Sequence, residues 1–400
     1  MTHSTDASAL VLAAPVRTPI GRFGGALASL TAADLGTSAG QACLDRAGLD
    51  PAAVDQVIFG HGRQAGGGPN TARQIAYRCE VPVDRPAFTV NQACGSGLQA
   101  VFCAARAIRL GEARVVLAGG TESMSNTPYM LPRARWGYRL GHDEVVDGMY
   151  RDGFNDPLSQ LVMGETAEEL ANEAGIDRQA ADAYAVQSQQ RCERARGTTR
   201  FQSEIVPVSV SSRRGDSLFE LDEHPRDGIK IESLAKLPTV FRDGGTVTPG
   251  NASGITDGAA ALVVASEEAA RELGLEIMAR LVDYQVVGVE PRIMGIGPVP
   301  ATTQLLDRRG LSFADIDLVE LNEAFASQAL ACLAELPFDP EIVNPDGGAI
   351  ALGHPIGCTA ARILVTLLHG LQQRQLSRGI ATLCVSGGLG IAALVEMENA

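Results

Sequence analysis

The stretch GLDPAAVDQVIFG at residues 48–60 recurs in altered form as GLSFADIDLVELN at residues 310–322. In both stretches a glycine ends a helical pattern, a short turn follows, and an apolar run comes next. This order predicts a helix end, a turn and a buried strand. A repeat of this kind indicates that a structural unit has been duplicated. The pair therefore predicts two related α/β halves within one chain.

Two further pairs of matching segments follow in the same order. Residues 90–97 (VNQACGSG) and residues 343–354 (VNPDGGAIALGH) both begin with Val-Asn and pass through a glycine-rich turn toward a helical pattern. Residues 115–120 (VVLAGG) and residues 382–388 (TLCVSGG) are both apolar strands that stop at paired glycines. Strands that alternate with helices predict sheets covered by helices. We therefore expect an α/β protein of two homologous halves whose chemistry meets at their shared interface.

An insertion separates the two halves. Residues 124–254 have no counterpart in the second half, and they include a helical pattern at residues 163–196. We interpret the insertion as a substrate-binding domain, and the alternative is a surface elaboration or an oligomer contact. The expected domains are residues 1–123 plus 255–275, residues 124–254, and residues 276–400. Basic residues of the insertion include Arg133, Arg135, Arg139, Arg226 and Lys236.

Charge and composition exclude several classes of protein. The net charge of −14 argues against nucleic-acid partners, because such proteins need a concentrated basic face. No apolar run approaches the roughly 18 residues of a membrane span, and residues 1–15 lack the basic start of a leader. We therefore expect a cytoplasmic protein with no membrane partner. The eight cysteines include no CxxC pair, so we expect free thiols and no metal site.

Cys94 lies where a catalytic nucleophile is favoured. It follows the apolar strand at residues 87–90 and precedes a helical pattern whose apolar positions include Leu98, Val101 and Phe102. At a helix N-terminus the free N–H groups and the macrodipole stabilise an anion, which lowers the pKa of a thiol. The alternative is a small, buried, unreactive cysteine. We predict that Cys94 is a nucleophile.

The second half offers a base and a second thiol. His354 lies just ahead of a predicted helix at residues 360–368, and the repeat makes its loop the partner of the Cys94 loop. A histidine that faces a thiol can accept the thiol proton, whereas a lone loop histidine is usually structural. Cys384 ends a buried strand before a Ser-Gly-Gly turn at residues 386–388. We expect its thiol to emerge at that turn, outside the core, as a general acid or base.

Four more residues of the second half were considered. One of them has two possible roles, and three are interpreted as structural. Asn322 follows the strand at residues 318–321, where an amide can hold a water or cap a helix. Glu323 is interpreted as a support of the first helical turn. Cys358 and Thr359 are interpreted as packing residues.

Taken together, these segments resemble the thiolase family. The residues that carry the likeness are residues 90–97 around Cys94, residues 322–325 (NEAF), residues 353–357 (GHPIG), and Cys384 before paired glycines. The resemblance implies the thiolase fold, in which two α/β halves form a five-layered α/β/α/β/α arrangement with an inserted CoA-binding loop domain. The likeness covers effectively the whole chain and extends to residues 17–21 (RTPIG), 119–125 (GGTESMS), 163–168 (MGETAE) and 250–254 (GNASG).

The resemblance also implies roles for individual residues. Cys94 becomes acylated, His354 activates it, and Cys384 moves the proton of the carbon that becomes an enolate. One oxyanion site combines His354 with a water held by Asn322, and the other uses the backbone N–H groups of Cys94 and Ser386. Coenzyme A or acetyl-CoA is implied as a substrate, with no tightly bound cofactor. The residues implied for CoA binding are Arg226, Ser233, Phe241, Ser253, Met163 and Phe325.

For the substrate and for the assembly, the resemblance leaves more than one possibility. The resemblance implies formation or cleavage of a 3-ketoacyl-CoA, with acetyl-CoA C-acetyltransferase activity expected. Longer-chain 3-ketoacyl-CoA and β-ketoadipyl-CoA are the alternatives, since Val162 stands where short-chain biosynthetic thiolases typically have a histidine. The implied partners are acyl-CoA molecules and further copies of the chain, in a homodimer or a homotetramer.

Three other functions have weaker support. A condensing enzyme of the ketoacyl-synthase type shares the fold but pairs its cysteine with two histidines, and this chain has Cys384 in the second position. A cysteine hydrolase has no use for duplicated halves and a CoA-type insertion. A non-catalytic thiolase-like lipid carrier is expected to have lost a reactive residue, whereas Cys94, Asn322, His354 and Cys384 are all present.

Overall fold

The structure is a computed structural model that describes residues 9–212 and 215–398. The outer ends of the predicted domains, residues 1–8 and 399–400, lie outside the described residues, and so does the start of the segment examined for a leader. The strands are β1 Leu10–Arg17, β2 Gly21–Arg22, β3 Gln56–Gly60, β4 Ala87–Val90, β5 Val115–Ser123, β6 Tyr129–Met130, β7 Val146–Asp147, β8 Val208–Ser212, β9 Gly215–Phe219, β10 Thr256–Ser266, β11 Ile277–Gly288, β12 Leu318–Leu321, β13 Arg378–Val385 and β14 Leu389–Met397.

The helices follow the glycine and capping signals of the sequence. Helix α1, for example, begins after Thr31, whose side chain accepts from the N–H of Asp34, and ends at Gly48 in the left-handed conformation. The helices are α1 Ala32–Ala47, α2 Thr71–Arg78, α3 Ser96–Arg109, α4 Met163–Ala174, α5 Arg178–Arg196, α6 Ile231–Leu234, α7 Glu267–Glu272, α8 Pro298–Arg309, α9 Ala326–Glu335, α10 Ala349–Leu352 and α11 Ile356–Arg374. Short 3-10 helices span Pro51–Ala53, Met124–Asn126, Ala134–Trp136, Pro291–Ile296 and Phe313–Asp315, and a π-helical turn spans Tyr150–Phe154.

The two halves repeat one strand order. The first half runs β4-β3-β5-β10-β1 and the second runs β12-β13-β14-β11, with β1 and β11 paired antiparallel where the halves meet. Strand β3 is parallel to its neighbours, as β12 is to β13, whereas β5–β10 and β13–β14 are antiparallel pairs. A parallel bridge from Val319 to Val343 stands in the second half where β4 stands in the first. The duplication predicted from the repeated segments is therefore visible in the topology.

Alternate residues of the strands build five layers. In β5, Val116 and Ala118 pack in one apolar cluster with α3 and α11, while Val115 and Leu117 pack in another with α1 and α2. In the second half, one face of β13 and β14 packs against α3 and α11. The other face packs against the outer helices α8 and α9. Because successive side chains of a strand point to opposite faces, each sheet is covered on both sides. The loops that carry Cys94 and His354 therefore precede the two helices of the central layer.

Glycines bring this central layer together. A Cβ on Gly97 of α3 would lie 2.5 Å from the backbone nitrogen of Ala361 in α11. A Cβ on Gly120 of β5 would lie 2.2 Å from the carbonyl oxygen of Gly357. Any larger residue would clash with backbone at these two positions, which side-chain rotation cannot relieve. The close approach draws the starts of α3 and α11 toward one another.

The insertion leaves the first sheet after β5 and returns to it at β10. The helical pattern at residues 163–196 forms two helices, α4 and α5, which are separated at Gly175 in the left-handed conformation. The predicted helix at residues 360–368 is longer, since α11 covers Ile356–Arg374.

Candidate active site

Cys94 lies in a tight turn between β4 and α3. Ser96 fixes this turn, because its hydroxyl accepts from the N–H of Gln92 at 2.9 Å and donates to the carbonyl of Ala93 at 2.7 Å. Ala93 has a φ of 43°, which is an unfavourable conformation for a residue with a Cβ. Strain of this kind is found where a side chain must be presented at a functional site. The turn places Cys94 two residues before the start of α3, at Ser96.

Burial and nearby positive groups act in opposite directions on Cys94. Burial raises the pKa of the Cys94 thiol, whereas Arg63 and the backbone N–H groups of Ser386 and Cys94 itself lower it. The net effect is a raised pKa, so the lower pKa expected for a thiol at a helix N-terminus was wrong, because burial outweighs it. The resting thiol is therefore mostly protonated near neutral pH, and nucleophilic attack requires a base.

His354 is held as a neutral imidazole. Its Nδ1 lies 2.6 Å from the hydroxyl of Thr359, and that hydroxyl donates to the carbonyl of Pro355 at 3.0 Å. The hydroxyl must therefore accept from Nδ1–H, which leaves the lone pair on Nε2. Burial, with Arg362 and Arg63, lowers the pKa of His354 to about 3. The ring can consequently accept a proton at Nε2 at neutral pH.

The interpretation of Thr359 as a packing residue was wrong, because its hydroxyl orients the His354 ring. The sequence signal was its position five residues after the histidine, at the start of a helix. The same interpretation of Cys358 is confirmed, since it packs with Ala260, Ala361 and Val365.

Cys384 lies near the end of β13 and is 1% exposed. We expected this thiol to emerge from the core. That prediction was wrong, because Cys384 packs with Met163, Met294 and Ala324. It nevertheless faces the same cavity as Cys94. Burial, together with the nearby thiols of Cys94 and Cys332, raises the pKa of Cys384 well above its usual value.

The turn after Cys384 takes its shape from glycine. Gly387 and Gly388 have φ values of 86° and 82°, whereas Ser386 is not in the left-handed region. A side chain is therefore tolerated at residue 386 without backbone strain. The N–H of Ser386 points to the Cys94 sulfur and lowers its pKa.

Asn322 follows β12 and is 1% exposed. Both polar atoms of its side chain, Oδ1 and Nδ2, are enclosed without a hydrogen-bond partner among the described residues. The helix-cap interpretation was wrong, since α9 begins at Ala326 after Phe325. Buried polar atoms without partners are rare in proteins, and they are the positions that ordered waters or ligands bond.

Glu323 connects the insertion to the loop that carries His354. Its carboxylate accepts from the hydroxyl of Ser188 in α5 at 2.7 Å, from Nδ2 of Asn344 at 2.9 Å and from the N–H of Ile350 at 3.2 Å. It therefore does not support the first turn of α9, and that interpretation was wrong. Its partners are far away in sequence, so the local pattern contained no signal for them.

Glu122 connects the two halves through its hydrogen bonds, as Glu323 connects the insertion to the His354 loop. Its carboxylate accepts from the N–H of Gly62, from the N–H of Arg63, and from the N–H of Gly357 at the start of α11. Nε2 of His61 lies 3.1 Å from the same carboxylate. Glu122 was not predicted as a site residue from the sequence, although a charged residue two positions after the paired glycines of an apolar strand was an available signal.

One cavity of about 240 Å³ brings most of the predicted residues together. Its wall includes Cys94, His354, Cys384 and Ser386 from the two halves. Asn322 is buried and does not line the cavity, although Ala324 and Phe325, which follow it closely in sequence, do. Arg226 and Ser233 are exposed and lie outside the cavity. The insertion and the adjacent loops contribute the remaining predicted residues, namely Met163, Phe241, Ser253 and Phe325.

Metal and membrane sites were also sought. The described residues contain no group of three or more histidine, cysteine or acidic side chains that could hold a metal ion. Every helix within residues 9–212 and 215–398 is too short or too polar to cross a bilayer.

Two family models cover almost the whole chain. The model described as "Thiolase, N-terminal domain" matches residues 10–268, and the model described as "Thiolase, C-terminal domain" matches residues 275–397. The chain belongs to the thiolase family. The recognition of the family and the predicted fold class are therefore confirmed.

Relatives of this thiolase are similar over their full lengths. The acetyl-CoA acetyltransferase of Pseudomonas aeruginosa is 49% identical over 97% of this chain and 99% of its own length. The crystal structure of the Bacillus anthracis acetyl-CoA acetyltransferase has a TM-score of 0.96 at 46% identity, and covers 98% of this chain and 100% of its own. Human mitochondrial 3-ketoacyl-CoA thiolase in complex with CoA has a TM-score of 0.94 at 42% identity, with 98% of both chains covered. These similarities make this thiolase an acyltransferase by class.

Proposed function

We propose that this thiolase transfers an acyl group between Cys94 and CoA, and so forms or cleaves 3-ketoacyl-CoA, with acetyl-CoA C-acetyltransferase as its activity. The observation that carries the proposal is the single cavity in which the thiols of Cys94 and Cys384 meet the imidazole of His354. Relatives that are 46 to 50% identical over nearly the full chain are named acetyl-CoA acetyltransferases. A cavity with a nucleophile, a base and a second proton carrier suits both acyl transfer and enolate formation.

Acylation starts from two neutral groups. Nε2 of His354 takes the proton of Cys94, and the sulfur attacks the thioester carbonyl to give a tetrahedral oxyanion. The oxyanion collapses as the bond to the CoA sulfur breaks, which leaves the acyl group on Cys94 and releases CoA. Backbone N–H groups of Cys94 and Ser386 donate to one oxyanion, and His354 with a water on Asn322 donates to the other. The amide of Asn322, which has no hydrogen-bond partner in the part of the chain that the structure describes, supports this assignment. Fixed donors of this type typically contribute about 3 to 4 kcal/mol each to the transition state.

Cys384 serves the second half of the reaction. In the condensing direction the CoA thiolate that leaves takes the thiol proton of Cys384, and the resulting Cys384 thiolate removes a proton from the methyl carbon of acetyl-CoA. The enolate attacks the acyl group on Cys94, and the sulfur of Cys94 leaves and takes the proton back from His354. In the thiolytic direction Cys384 returns the carbon-bound proton to the leaving enolate. A raised thiol pKa suits this role, because a strong conjugate base is needed to remove a carbon-bound proton.

The CoA chain enters along the insertion. The ring of Phe241 lies against Gly164, where an added Cβ would come within 2.1 Å of the ring, so the two form a flat wall near Met163. Ser253 and Phe325 also line the cavity. Arg226 and Ser233 are exposed and are assigned to the nucleotide end, where an arginine suits phosphate groups. We assign residues 124–254 to a CoA-binding domain between the half formed by residues 1–123 plus 255–275 and the half formed by residues 276–400.

A dimer or tetramer is proposed for the assembly, with acyl-CoA as the small-molecule partner, no tightly bound cofactor and a cytoplasmic location. Support for the assembly comes from a group of exposed apolar side chains at the start of the insertion. Large exposed apolar patches on soluble proteins mark contact surfaces. The group comprises Tyr129, Leu131, Trp136, Tyr138, Leu140 and Val145.

Incubation with acetyl-CoA tests the proposal directly. We expect one acetyl group on the peptide that contains Cys94, detected by mass spectrometry, and release of one equivalent of CoA. The acetyl group should leave when free CoA is added. Acetylation of a different residue, or full thiolysis activity in Cys94→Ala, would contradict the proposed mechanism.

A further inference from the structure

Arg362 is a buried cation in the central layer of the molecule. It lies on α11, the helix that follows His354, and it is 1% exposed. Nε, Nη1 and Nη2 of its guanidinium have no hydrogen-bond partner among the described residues. A buried charge whose donors lack acceptors is strongly unfavourable, and each such group in a protein requires an explanation. We therefore asked which groups face Arg362.

Glu320 forms an ion pair with Arg362 but leaves its charge largely uncompensated. Oε2 of Glu320 lies 3.6 Å from Nη1 of Arg362, which is too long for a hydrogen bond. Burial raises the pKa of Glu320 to about 8. Asp346 and Glu204 add to this effect. Arg362 and Arg200 oppose it. Glu320 is therefore mostly protonated and neutral at pH 7, so the buried pair carries a net positive charge.

The amide of Asn322 faces the same helix. Leu318 of β12 packs in the central cluster with α11, whereas Leu321 packs in the outer cluster. The N–H of Asn322 continues the ladder of β12, because it donates to the carbonyl of Thr382 at 3.0 Å. Since side chains alternate along a strand, Asn322 points with Leu318 toward α11. Three polar atoms of Arg362 and two of Asn322, all without partners in the described part of the chain, therefore lie on two facing elements.

Waters between these groups would be oriented by the cation. Buried polar atoms without partners are the positions that ordered waters bond. A water that binds a guanidinium must accept from its N–H, so its own O–H groups point away from the cation. Donors are thus directed from Arg362 toward Asn322 and the oxyanion site that it shares with His354. The charge of Arg362 reaches that site, since it also lowers the pKa of His354.

We propose that Arg362 is a positioning residue for the enolate, and that it orients the water on Asn322 that donates, with His354, to the enolate oxygen. The inference rests on the thiolase reaction proposed above. Arg362 does not line the cavity, so it acts through water and Asn322. The N–H of Ser386 points to the sulfur of Cys94, and the backbone oxyanion site therefore serves the acyl group on Cys94. Arg362 should consequently affect the carbon–carbon bond step much more than acylation.

Separate measurement of the two steps tests the proposal. In Arg362→Met, kcat for thiolysis of acetoacetyl-CoA should fall about 10- to 100-fold, less than for loss of a direct oxyanion donor, because the water is misoriented but not removed. The KM for CoA should stay within about twofold. Single-turnover acetylation of Cys94 should change less than about threefold, because loss of Arg362 raises the pKa of His354 and does not weaken it as a base. Arg362→Lys keeps the charge and should retain part of the thiolysis rate.

Thr366→Val is the matched control. Thr366 is buried on α11, one helical turn beyond Arg362 and further from His354, and its hydroxyl donates to Glu204 at 3.2 Å. The substitution also removes a buried polar group from this helix. It should leave the ratio of acetylation to thiolysis unchanged.

Glu320→Gln supplies a readout that a purely structural role would not change. Glutamine cannot ionise, so the charge of Arg362 stays uncompensated at every pH. In the wild-type enzyme Glu320 becomes an anion as the pH rises through about 8, and it then weakens the field of Arg362. The thiolysis kcat of Glu320→Gln, divided by that of the wild type, should be close to unity at about pH 6.5 and rise severalfold by about pH 9.5. The ratio cancels the ionisation of CoA, which both enzymes share.

The proposal is overturned if Arg362→Met slows acetylation and thiolysis equally, or if Thr366→Val reproduces the selective loss. A ratio for Glu320→Gln that does not change with pH also overturns it. Circular dichroism and the melting temperature identify a variant that has not folded, and Arg362→Lys and Glu320→Gln then decide. A wild-type enzyme that is active while these variants are unselective refutes only this inference, whereas failure to acylate Cys94 refutes the proposed function.

Discussion

The two halves of the molecule connect equivalent strands in very different ways. In the first half, β5 and β10 are paired antiparallel, and the chain between them makes the whole insertion before it returns. In the second half, β13 and β14 are paired in the same manner, and only Ser386, Gly387 and Gly388 connect them. The long connection supplies the walls assigned to CoA, and the short one supplies the N–H of Ser386 beside Cys94. One position in a duplicated fold can therefore hold either a long insertion or a turn of three residues.

The helices of the central layer differ in a similar way. Cys94 lies two residues before α3 in a turn strained at Ala93, whereas His354 is reached only after a longer loop that Glu323 fixes through Asn344 and Ile350. In the proposed mechanism, the nucleophile Cys94 must be presented to the substrate, while the base His354 must keep its ring in one orientation. The first requirement is met locally by backbone geometry, and the second by contacts from distant segments.

The largest expected effect separates the two thiols. Cys94→Ala should lose both acylation and carbon–carbon bond cleavage, by roughly 10⁴-fold or more. Cys384→Ala should still accept an acetyl group on Cys94 at a rate within about tenfold of normal, while thiolysis of acetoacetyl-CoA falls by about 10²- to 10⁴-fold. Single-turnover acylation and steady-state thiolysis should be measured separately for each variant. Equal loss of both steps in a folded Cys384→Ala variant would refute this division between the halves.

A smaller effect is expected at the short connection. Gly388→Ala should destabilise the protein by about 3 kcal/mol or more, because the new Cβ would lie 2.4 Å from the carbonyl oxygen of Val289 in addition to the strain of a positive φ. Gly387→Ala is the matched control, since it has the same backbone strain but no atom within 4 Å, and it should cost about 1 kcal/mol. The midpoints of urea unfolding measure the difference. Equal shifts in the two variants would mean that close packing at Gly388 does not constrain the turn.

The smallest effect is expected in the long connection. Arg226→Ala should raise the KM for CoA about two- to fivefold at low salt and leave kcat unchanged, because an exposed ionic contact is weak and contributes to binding without favouring the transition state. The effect should shrink at high salt. Arg194→Ala, which removes another exposed arginine of the insertion, should have no such effect. An unchanged KM at low salt would place the nucleotide end of CoA elsewhere.

The sequence by itself determined the duplicated α/β architecture and the loops that carry Cys94 and His354. Apolar runs of strand length, helical periodicity and paired glycines are local signals, because each depends on residues that are adjacent or within one or two turns. The strand at Ala87–Val90 and the end of β12 before Asn322 follow such signals. The same signals suggested one continuous helical segment at residues 163–196, but a left-handed glycine at Gly175 divides it.

Only the tertiary structure decided how the side chains of the site are held and which of them have no partner. Glu122 reaches the N–H of Gly357 across 235 positions of sequence, and no local pattern could indicate that contact. The burial of Cys384 likewise depends on which distant segments pack around it. Hydrogen bonds, burial and charge pairing act at a few ångströms in space, so the chain must be folded before they can be assigned.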